Sequence, residues 1–565
     1  MDMQVLRTLL IIFLAVVLPL ILFIIYFKLS IYIKEPKPEN IEVLEMNVEK
    51  KSENVYVFEN NWLRQSESGL WEMYIEGEAF ERGVANGKMA NHLIHKQEDA
   101  FIAEIRKMIP SRFYLSFLRY FVGWFNRNIT DHIPYEYQLE ILGISKSASE
   151  EFDYVGPSYL RFLNYHAAHD IGHSLINMGM VVGCTSFAAW DEASEDGNLI
   201  VGRNFDFYVG DDFAEEKIVA FCKPEKGYGF MYVTWGGMIG VVSGMNEKGL
   251  TVTINSAPSG MPLASKTPVS IVAREVLQYA GNIEEAFEII NKRETFVAES
   301  FLIGSAFDNK AVIIEKSTKT TRILNPVSNT IVCANHYQCD DFQNDKHNVK
   351  AVQTSASPYR QKRVMELIDE LMPFNHFKAA SLLRDKQGLG GENIGFGNEK
   401  AVNQLISHHS VIFMPSELIM WVSTNPYQLG KYVAYDLKKI LNLNPENIDA
   451  NEIYETALII PQDLFLNSSE YAAFVEYNKQ KQILQKEKKY KSCEKFKDSD
   501  IESFVNLNPD LFSPWAIAGD YYKACGLFDK AIHYYNIALT KEIATENERS
   551  NIQKNRDKCL KKKRG

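Results

Sequence analysis

The sequence predicts an α+β protein, preceded by an apolar N-terminal helix and followed by a small helical region. Three observations predict that class. Strand patterns cluster from Val181 onward, two helical segments interrupt them, and strands then resume. Strands and helices segregated in this way point to α+β rather than to a parallel, doubly wound sheet. The strands are short, β-branched and aromatic, with turns such as EDGN, PEKGYG and NEKG between them, the spacing of antiparallel sheets. Finally, the chain has 565 residues, 46% hydrophobic and 24% charged. That is too apolar for disorder and long enough for roughly two to four domains of about 150 residues each.

Residues 8–27 read TLLIIFLAVVLPLILFIIYF, twenty uncharged residues bounded by Arg7 and Lys28. A helix of that length rises about 30 Å, the thickness of a bilayer's hydrocarbon core. Pro19 falls mid-run, which a membrane helix tolerates. The run predicts a retained single-pass anchor. The alternative is a cleaved signal peptide, which ends in small residues of A-x-A type, whereas this run exits into Lys28 and KEPKPEN. Arg7 and the N-terminal amine nearly balance Lys28, Lys34 and Lys37; the orientation expected has the bulk of the chain on the non-cytoplasmic side. Residues 28–55, charged and Pro-bearing, read as a linker.

Residues 56–183 read as a mainly helical segment. In it GLWEMYIEGEAFERGVANGKMANHLIHKQ gives a strand, a Gly-marked turn and a helix. Its aromatic cluster SRFYLSFLRYFVGWF suits core packing or contact with a membrane surface. Residues 184–440 carry the strands CTSFAAW, NLIVGRNFDF, KIVAFC, GFMYVTW, IGVVSGM and LTVTINSA. The helices VSIVAREVLQYA and NIEEAFEIINKR follow, then the strands ESFLIGSAF, NKAVIIEKST and NTIVCANHYQ, a helical stretch over 360–385, and the hairpin HSVIFMPSELIMWVST. Residues 441–505 read as a helical connector. In 506–560, Trp515, Ala518, Gly519, Tyr522, Ala531, Tyr535 and Ala538 fall on the tetratricopeptide pattern. One such repeat cannot bury its own apolar face, so it either packs on the connector or caps the chain. It is also the surface expected to hold any protein partner.

Lys and Arg total 61 against 72 Asp and Glu, a formal charge of −11. Nucleic-acid binding needs clustered basic residues against phosphates, so no nucleic-acid partner is expected. Seven cysteines, odd in number and scattered, form neither a disulfide framework nor a paired CxxC metal site. They leave room for a reactive thiol. Adjacent histidines on a strand face opposite sides, so His408 and His409 suggest no metal centre, and no cofactor is expected.

The stretch GCTSFAAWDEASEDGNLIVGRNFDF is the most informative. Cys184 opens a strand directly after Gly183, and a turn at GNLI starts the next strand, which ends in Arg203 and Asp206. The hairpin thus returns both charged residues beside the thiol. A cationic neighbour favours thiolate. If the Gly183–Cys184 bond is cut, Cys184 gains an α-amine of pKa about 7.7–8.0, able to act as base for its own thiol.

These residues resemble the N-terminal nucleophile hydrolases of linear amides: the choloylglycine hydrolase and penicillin V acylase group, acid ceramidase and N-acylethanolamine acid amidase, and the self-cleaving isopenicillin-N acyltransferase group. Cys184-Thr185-Ser186 is similar to their CTS start, Gly202 to Asp206 to their GRNxD motif, and Gly244 to Leu250 to their GMNEKGL turn. Asn255 and Asn335 match two asparagines, Asn255 being an oxyanion-hole residue in those enzymes. Arg360 matches a late active-site arginine, with Arg363 the alternative. The segments YIEGEAFERGVANG and IPYEYQLEILGIS resemble what precedes the nucleophile in the acyltransferase group, so the likeness spans roughly residues 68–425.

The resemblance implies a four-layer αββα sandwich and a self-processing cysteine amidohydrolase or acyltransferase. Its small-molecule substrate is an N-acyl amide, with a lipid-like acyl chain suggested by the anchor. Cys184 would be the nucleophile after cleavage between Gly183 and Cys184. Asn255 and Asn335 would donate to the oxyanion, Arg203 and Asp206 would set the charge on thiol and amine, and Arg360 would orient Asp206 or the substrate. Trp235, Met238 and Tyr232 are candidates for an apolar acyl pocket, or for strand-face core. Two other readings stay open: transfer of the acyl group to an amine as the main activity, and a non-catalytic membrane-tethered scaffold.

Overall fold

A computed structural model of the chain describes residues 4, 7, 11, 13–174, 181–208, 210–443, 448, 451–490, 493 and 495–564. Strands such as Thr185–Ala189, Ile200–Phe205, Leu250–Ser256 and Glu299–Ser305 are buried at every position, so each sheet buries both faces, and four layers follow. An eleven-stranded sheet runs, in spatial and chain order, through Glu49–Ser52, Val55–Phe58, Asn61–Gln65, Trp71–Gly77, Ile218–Pro224, Phe230–Thr234, Ser243–Asn246, Leu250–Ser256, Glu299–Ser305, Lys310–Lys316 and Thr321–Leu324. A six-stranded sheet has the order Thr330–Cys333, Thr185–Ala189, Ile200–Phe205, His409–Met414, Ile419–Ser423 and Tyr432–Asp436.

The layers follow residue by residue. On the large sheet, Val219, Phe221, Leu302 and Ile313 face inward and meet Ala188, Val201, Val411 and Val422 of the small sheet. Their strand neighbours Ala220, Phe301, Ile303, Val312 and Ile314 face outward onto helices that include Ala79–Met89, Tyr135–Ser145 and Val269–Tyr279. On the small sheet Phe187, Ile200, Ile412 and Trp421 face outward onto Ser357–Leu371 and His376–Leu383. The architecture is thus helix, sheet, sheet, helix.

Residues 56–183 are mainly helical after strands at their start, while the expectation that residues 28–55 are a linker is corrected. Four strands between Glu49 and Gly77 extend the large sheet. The first of them, EKKS, is exposed at every position, so no alternation marks it. Trp71–Gly77 pairs in parallel with Ile218–Pro224, from Trp71↔Ile218 to Gly77↔Pro224. That ladder ties the segment before Cys184 to the segment after it.

The apolar run forms a π-helical turn, Phe13–Val17, and a helix, Leu18–Ser30; residues 8–10 and 12 of the expected anchor lie outside the described residues. No side chain from Phe13 to Ser30 is buried. The helix Arg112–Phe125 packs beside it, with Trp124 stacked on Phe27 at 5.2 Å. Phe113, Tyr114, Phe117 and Phe121 of that helix stay exposed, Phe113 at 84%.

The C-terminal helices Ser469–Tyr490, Asp498–Asn506, Phe512–Ala524, Phe528–Thr540 and Glu546–Arg564 share one core with Leu405 and Leu429 of the two-sheet region. Gly519 lies flat against the Tyr535 ring, where a Cβ would come within 2.7 Å. The hairpin therefore packs on the connector, as one of the two expectations had it. A disulfide joins Cys493 to Cys525, a pair that the odd, scattered cysteines did not suggest.

Candidate active site

The hairpin of Thr185–Ala189 and Ile200–Phe205 sets the site. Its register pairs Thr185 with Asn204 and Ser186 with Arg203. The same register continues in Val182↔Phe207 and in the Gly183 N–H, which donates to the Asp206 carbonyl at 2.9 Å. Gly183 and Cys184 therefore sit in extended backbone within one long antiparallel ladder, with Asp206 across from Gly183. On the other edge, Cys333 pairs with Ser186, which brings the segment leading to Asn335 alongside Cys184.

Pleating sends Arg203 into the space between the sheets, where an apolar residue would otherwise stand. It is fully buried. Its Nη2 approaches the Cys184 sulfur at 3.6 Å and donates to the Ile254 carbonyl at 2.5 Å. Its Nη1 donates to the Ser243 hydroxyl. Asn204, one residue on, faces the opposite way and donates to the carbonyls of Leu383 and Val402 at 2.9 and 3.0 Å.

Burial dominates the electrostatics. It pushes the Cys184 thiol up to about 11; the Arg203 guanidinium pulls against it, while Asp206 and Glu299 reinforce it. Proximity to Arg203 was expected to favour thiolate, and it does not prevail, because burial takes the thiol out of water. Burial likewise lifts the Asp206 carboxyl to about 7, against the Ser407 hydroxyl, Arg360 and Arg203. Ser407 and Gln404 both donate to that carboxyl, Gln404 at 3.3 Å.

Asn255 is buried on the inner face of the large sheet. It accepts from the Ser186 hydroxyl at 2.9 Å and donates to the Cys333 carbonyl at 3.0 Å. Asn335 donates to the Ser256 carbonyl at 3.1 Å and accepts from Arg360 Nη2 at 2.7 Å. Arg360 also reaches the Thr185 hydroxyl at 3.3 Å and the Glu399 carbonyl at 2.8 Å. It hydrogen-bonds Asn335 rather than Asp206, which it influences through its charge. Arg363 instead forms a bidentate pair with Asp385, away from this cluster, so Arg360 is the arginine at the site.

Trp235 and Met238 line an apolar cleft with Phe101, Phe162, Phe207 and Phe213. Phe205 joins this cleft to the site, with Trp235 stacked on one side at 6.4 Å and the Arg203 guanidinium 4.3 Å from its ring. Tyr232 lies outside the cleft lining, in the helix-facing core near Arg274. The rings of His408 and His409 do not diverge as expected. Their Nδ1 atoms are 2.9 Å apart, because His408 precedes the strand that begins at His409. Burial holds both well below the usual histidine range.

The sequence reading missed Gln404. Its Nε2 donates to the Gly183 carbonyl at 2.7 Å. It also lines a second cleft, between the two-sheet region and the C-terminal helices, together with Glu399, Tyr427, Phe474, Lys481 and Glu548. No motif surrounds Gln404 in KAVNQLIS, so nothing local distinguishes it.

The family model described as acyl-coenzyme A:6-aminopenicillanic acid acyl-transferase matches residues 193–395, a stretch that includes Arg203, Asp206, Asn255, Asn335 and Arg360 and begins just past Cys184. An uncharacterised protein of Archaeoglobus fulgidus is 24% identical over 251 residues, 42% of this chain and 41% of that protein. The N-acylethanolamine-hydrolyzing acid amidase of Caenorhabditis elegans is 25% identical over 226 residues, 38% of this chain and 59% of that protein. The chain thus spans about half the length of the curated relatives it matches. Among solved structures, a mutant conjugated bile acid hydrolase from Clostridium perfringens aligns with 46% of this chain and 94% of its own, at 14% identity and a TM-score of 0.32.

Proposed function

We propose that this protein is a membrane-tethered, self-processing cysteine hydrolase of N-acyl amides. The observation that carries this reading is the Cys184 thiol on a glycyl–cysteinyl bond, with a buried Arg203 at 3.6 Å and the Asp206 backbone across the ladder. Cleavage of that bond turns the Cys184 nitrogen into an α-amine. The amine takes the thiol proton, and the sulfur attacks the substrate carbonyl. Asn255 and Asn335 each spend one donor on a backbone carbonyl, which fixes their orientation. An amide –NH2 has two donors, so the second can serve the oxyanion. The amine product leaves, and water hydrolyses the thioester.

The matched family is described as an acyl-transferase and the C. elegans relative as an acid amidase acting on N-acylethanolamines; both descriptions involve acyl transfer from or to nitrogen. We extend that chemistry to this chain as the acyl-amide class. The cleft lined by Trp235 and Met238 suits an apolar acyl chain. The tether follows from the unburied apolar helix. The exposed aromatic face beside it is suited to lie against lipid, on the non-cytoplasmic side. The C-terminal hairpin, read as tetratricopeptide-like, is the surface for any protein partner.

The test is a panel of fatty N-acyl amides given to the purified chain and to Cys184→Ala. Release of fatty acid by the wild type, lost in the variant, is expected; no release from any member would overturn the reading. Adding a primary amine separates hydrolysis from transfer, because transfer yields a new amide in place of free acid.

A further inference from the structure

The Gly183 carbonyl is the group that Cys184 must attack if the chain processes itself, and it already receives a hydrogen bond from a distant side chain. We infer that Gln404 is a catalytic residue of self-processing, its side-chain amide forming the oxyanion site for the Gly183 carbonyl. The inference rests on the self-processing reading and deepens it.

Four observations support it. Gln404 Nε2 already donates to the Gly183 oxygen at 2.7 Å, so a donor is in place on the atom where negative charge develops. The orientation of the amide is forced, since a carbonyl oxygen only accepts and Nε2 also meets the Asp206 carboxyl at 3.3 Å. Gln404 is 1% exposed, so the donor acts where water does not compete. Finally, its loop is anchored: the Asn403 N–H donates to the Asp385 carbonyl at 2.7 Å, and Asn204 holds the Val402 carbonyl at 3.0 Å. Asn204, in the middle of the GRNFD segment, thereby positions Gln404 from the far side of the strand.

The step balances as an N-to-S acyl shift followed by hydrolysis. The Cys184 sulfur bonds to the Gly183 carbonyl carbon, negative charge moves onto the Gly183 oxygen, and Gln404 stabilises it. The carbon–nitrogen bond to Cys184 then breaks, and the nitrogen gains the proton that the thiol loses. Water cleaves the resulting thioester, leaving a Gly183 carboxylate, a free thiol and a free Cys184 amine. The glycine fits the same arrangement, because a Cβ at 183 would collide with the end of the Gln404 side chain.

The experiment follows conversion of the full-length chain into two pieces over time, for wild type, Cys184→Ala, Gln404→Leu, Gln404→Glu and Gly183→Ala. Gln404→Leu should slow conversion about 10²–10³-fold, the usual loss for one oxyanion donor. Gly183→Ala should be slowed too, and the double variant Gly183→Ala/Gln404→Leu no further than Gln404→Leu alone. Gln404→Glu is the second test, because a protonated carboxyl can donate and an ionised one cannot. Its rate relative to wild type should rise as pH falls, which a purely structural defect would not produce. Conversion of Gln404→Leu within a few-fold of wild type, with Cys184→Ala uncut, overturns this inference alone. So does a relative Gln404→Glu rate that does not change with pH. A wild-type chain that is never cut overturns both the processing reading and this inference.

Discussion

Among the six candidate site residues, Arg203 reaches the Cys184 sulfur and Arg360 holds Asn335, while Asn255 is held by Ser186 and the Cys333 carbonyl and Asp206 by Ser407 and Gln404. Asn335 is held from both ends, by the Ser256 carbonyl and by Arg360. With Asn335 as the proposed oxyanion donor, Asn335→Ala should lower kcat by about 10²–10³ with a smaller change in KM, since such a donor works mainly in the transition state. Steady-state kinetics on the processed enzyme checks this; an effect confined to KM would contradict it. The buried carboxyls make a second prediction. Asp206 is held near 7 against an ordinary 3.8, and Glu399 near 7 against 4.5, both chiefly by burial. The folded state thus binds more protons than the unfolded state between about pH 4 and 7. This stabilisation is fully present below the unfolded values and is lost as pH rises through about 7. Melting temperatures measured from pH 5 to 8 should fall less steeply for Asp206→Asn and Glu399→Gln than for wild type. An equally steep fall would mean that both groups are already ionised in the folded protein and would contradict this.

At the scale of elements, the hairpin from Thr185 to Phe205 was legible in the sequence because two alternating strands around a turn fix which residues meet. The strand Glu49–Ser52 was not, because it is exposed on both faces and carries no alternation. The His408–His409 geometry was also hidden, since it depends on where a strand starts, and boundaries are the least certain part of any pattern. Gln404 lies 221 residues from Gly183 in sequence, and only the tertiary fold brings them together. The helix Arg112–Phe125 was read as core or membrane surface, and its exposed Phe113, Phe117 and Phe121 favour the second. Burying a Phe ring in an apolar medium is worth about 1.5–3 kcal/mol. Replacing these three by Ser should leave the melting temperature nearly unchanged and reduce turnover of substrate embedded in vesicles, while sparing substrate in detergent micelles. A large loss of melting temperature would show that the face is instead packed.

The whole molecule joins the regions on either side of Cys184 through the seven-residue parallel ladder of Trp71–Gly77 with Ile218–Pro224 and through a shared core from Phe58 to Ile314. Processing should therefore give two pieces that co-elute from a sizing column in buffer and separate only in denaturant; separation in buffer would contradict this packing. The α+β class was legible from strands, helices and strands in sequence, and the four-layer order only through the resemblance, whereas the Cys493–Cys525 bond was not legible, because spacing alone does not pair cysteines. The central claim is that the thiol becomes the first residue of its own chain. N-terminal sequencing of the purified wild type, with Cys184→Ala alongside, tests it most directly. The account predicts a new terminus reading Cys-Thr-Ser-Phe in the wild type and none in the variant. An intact 64.6 kDa chain that still hydrolyses N-acyl amides would contradict it.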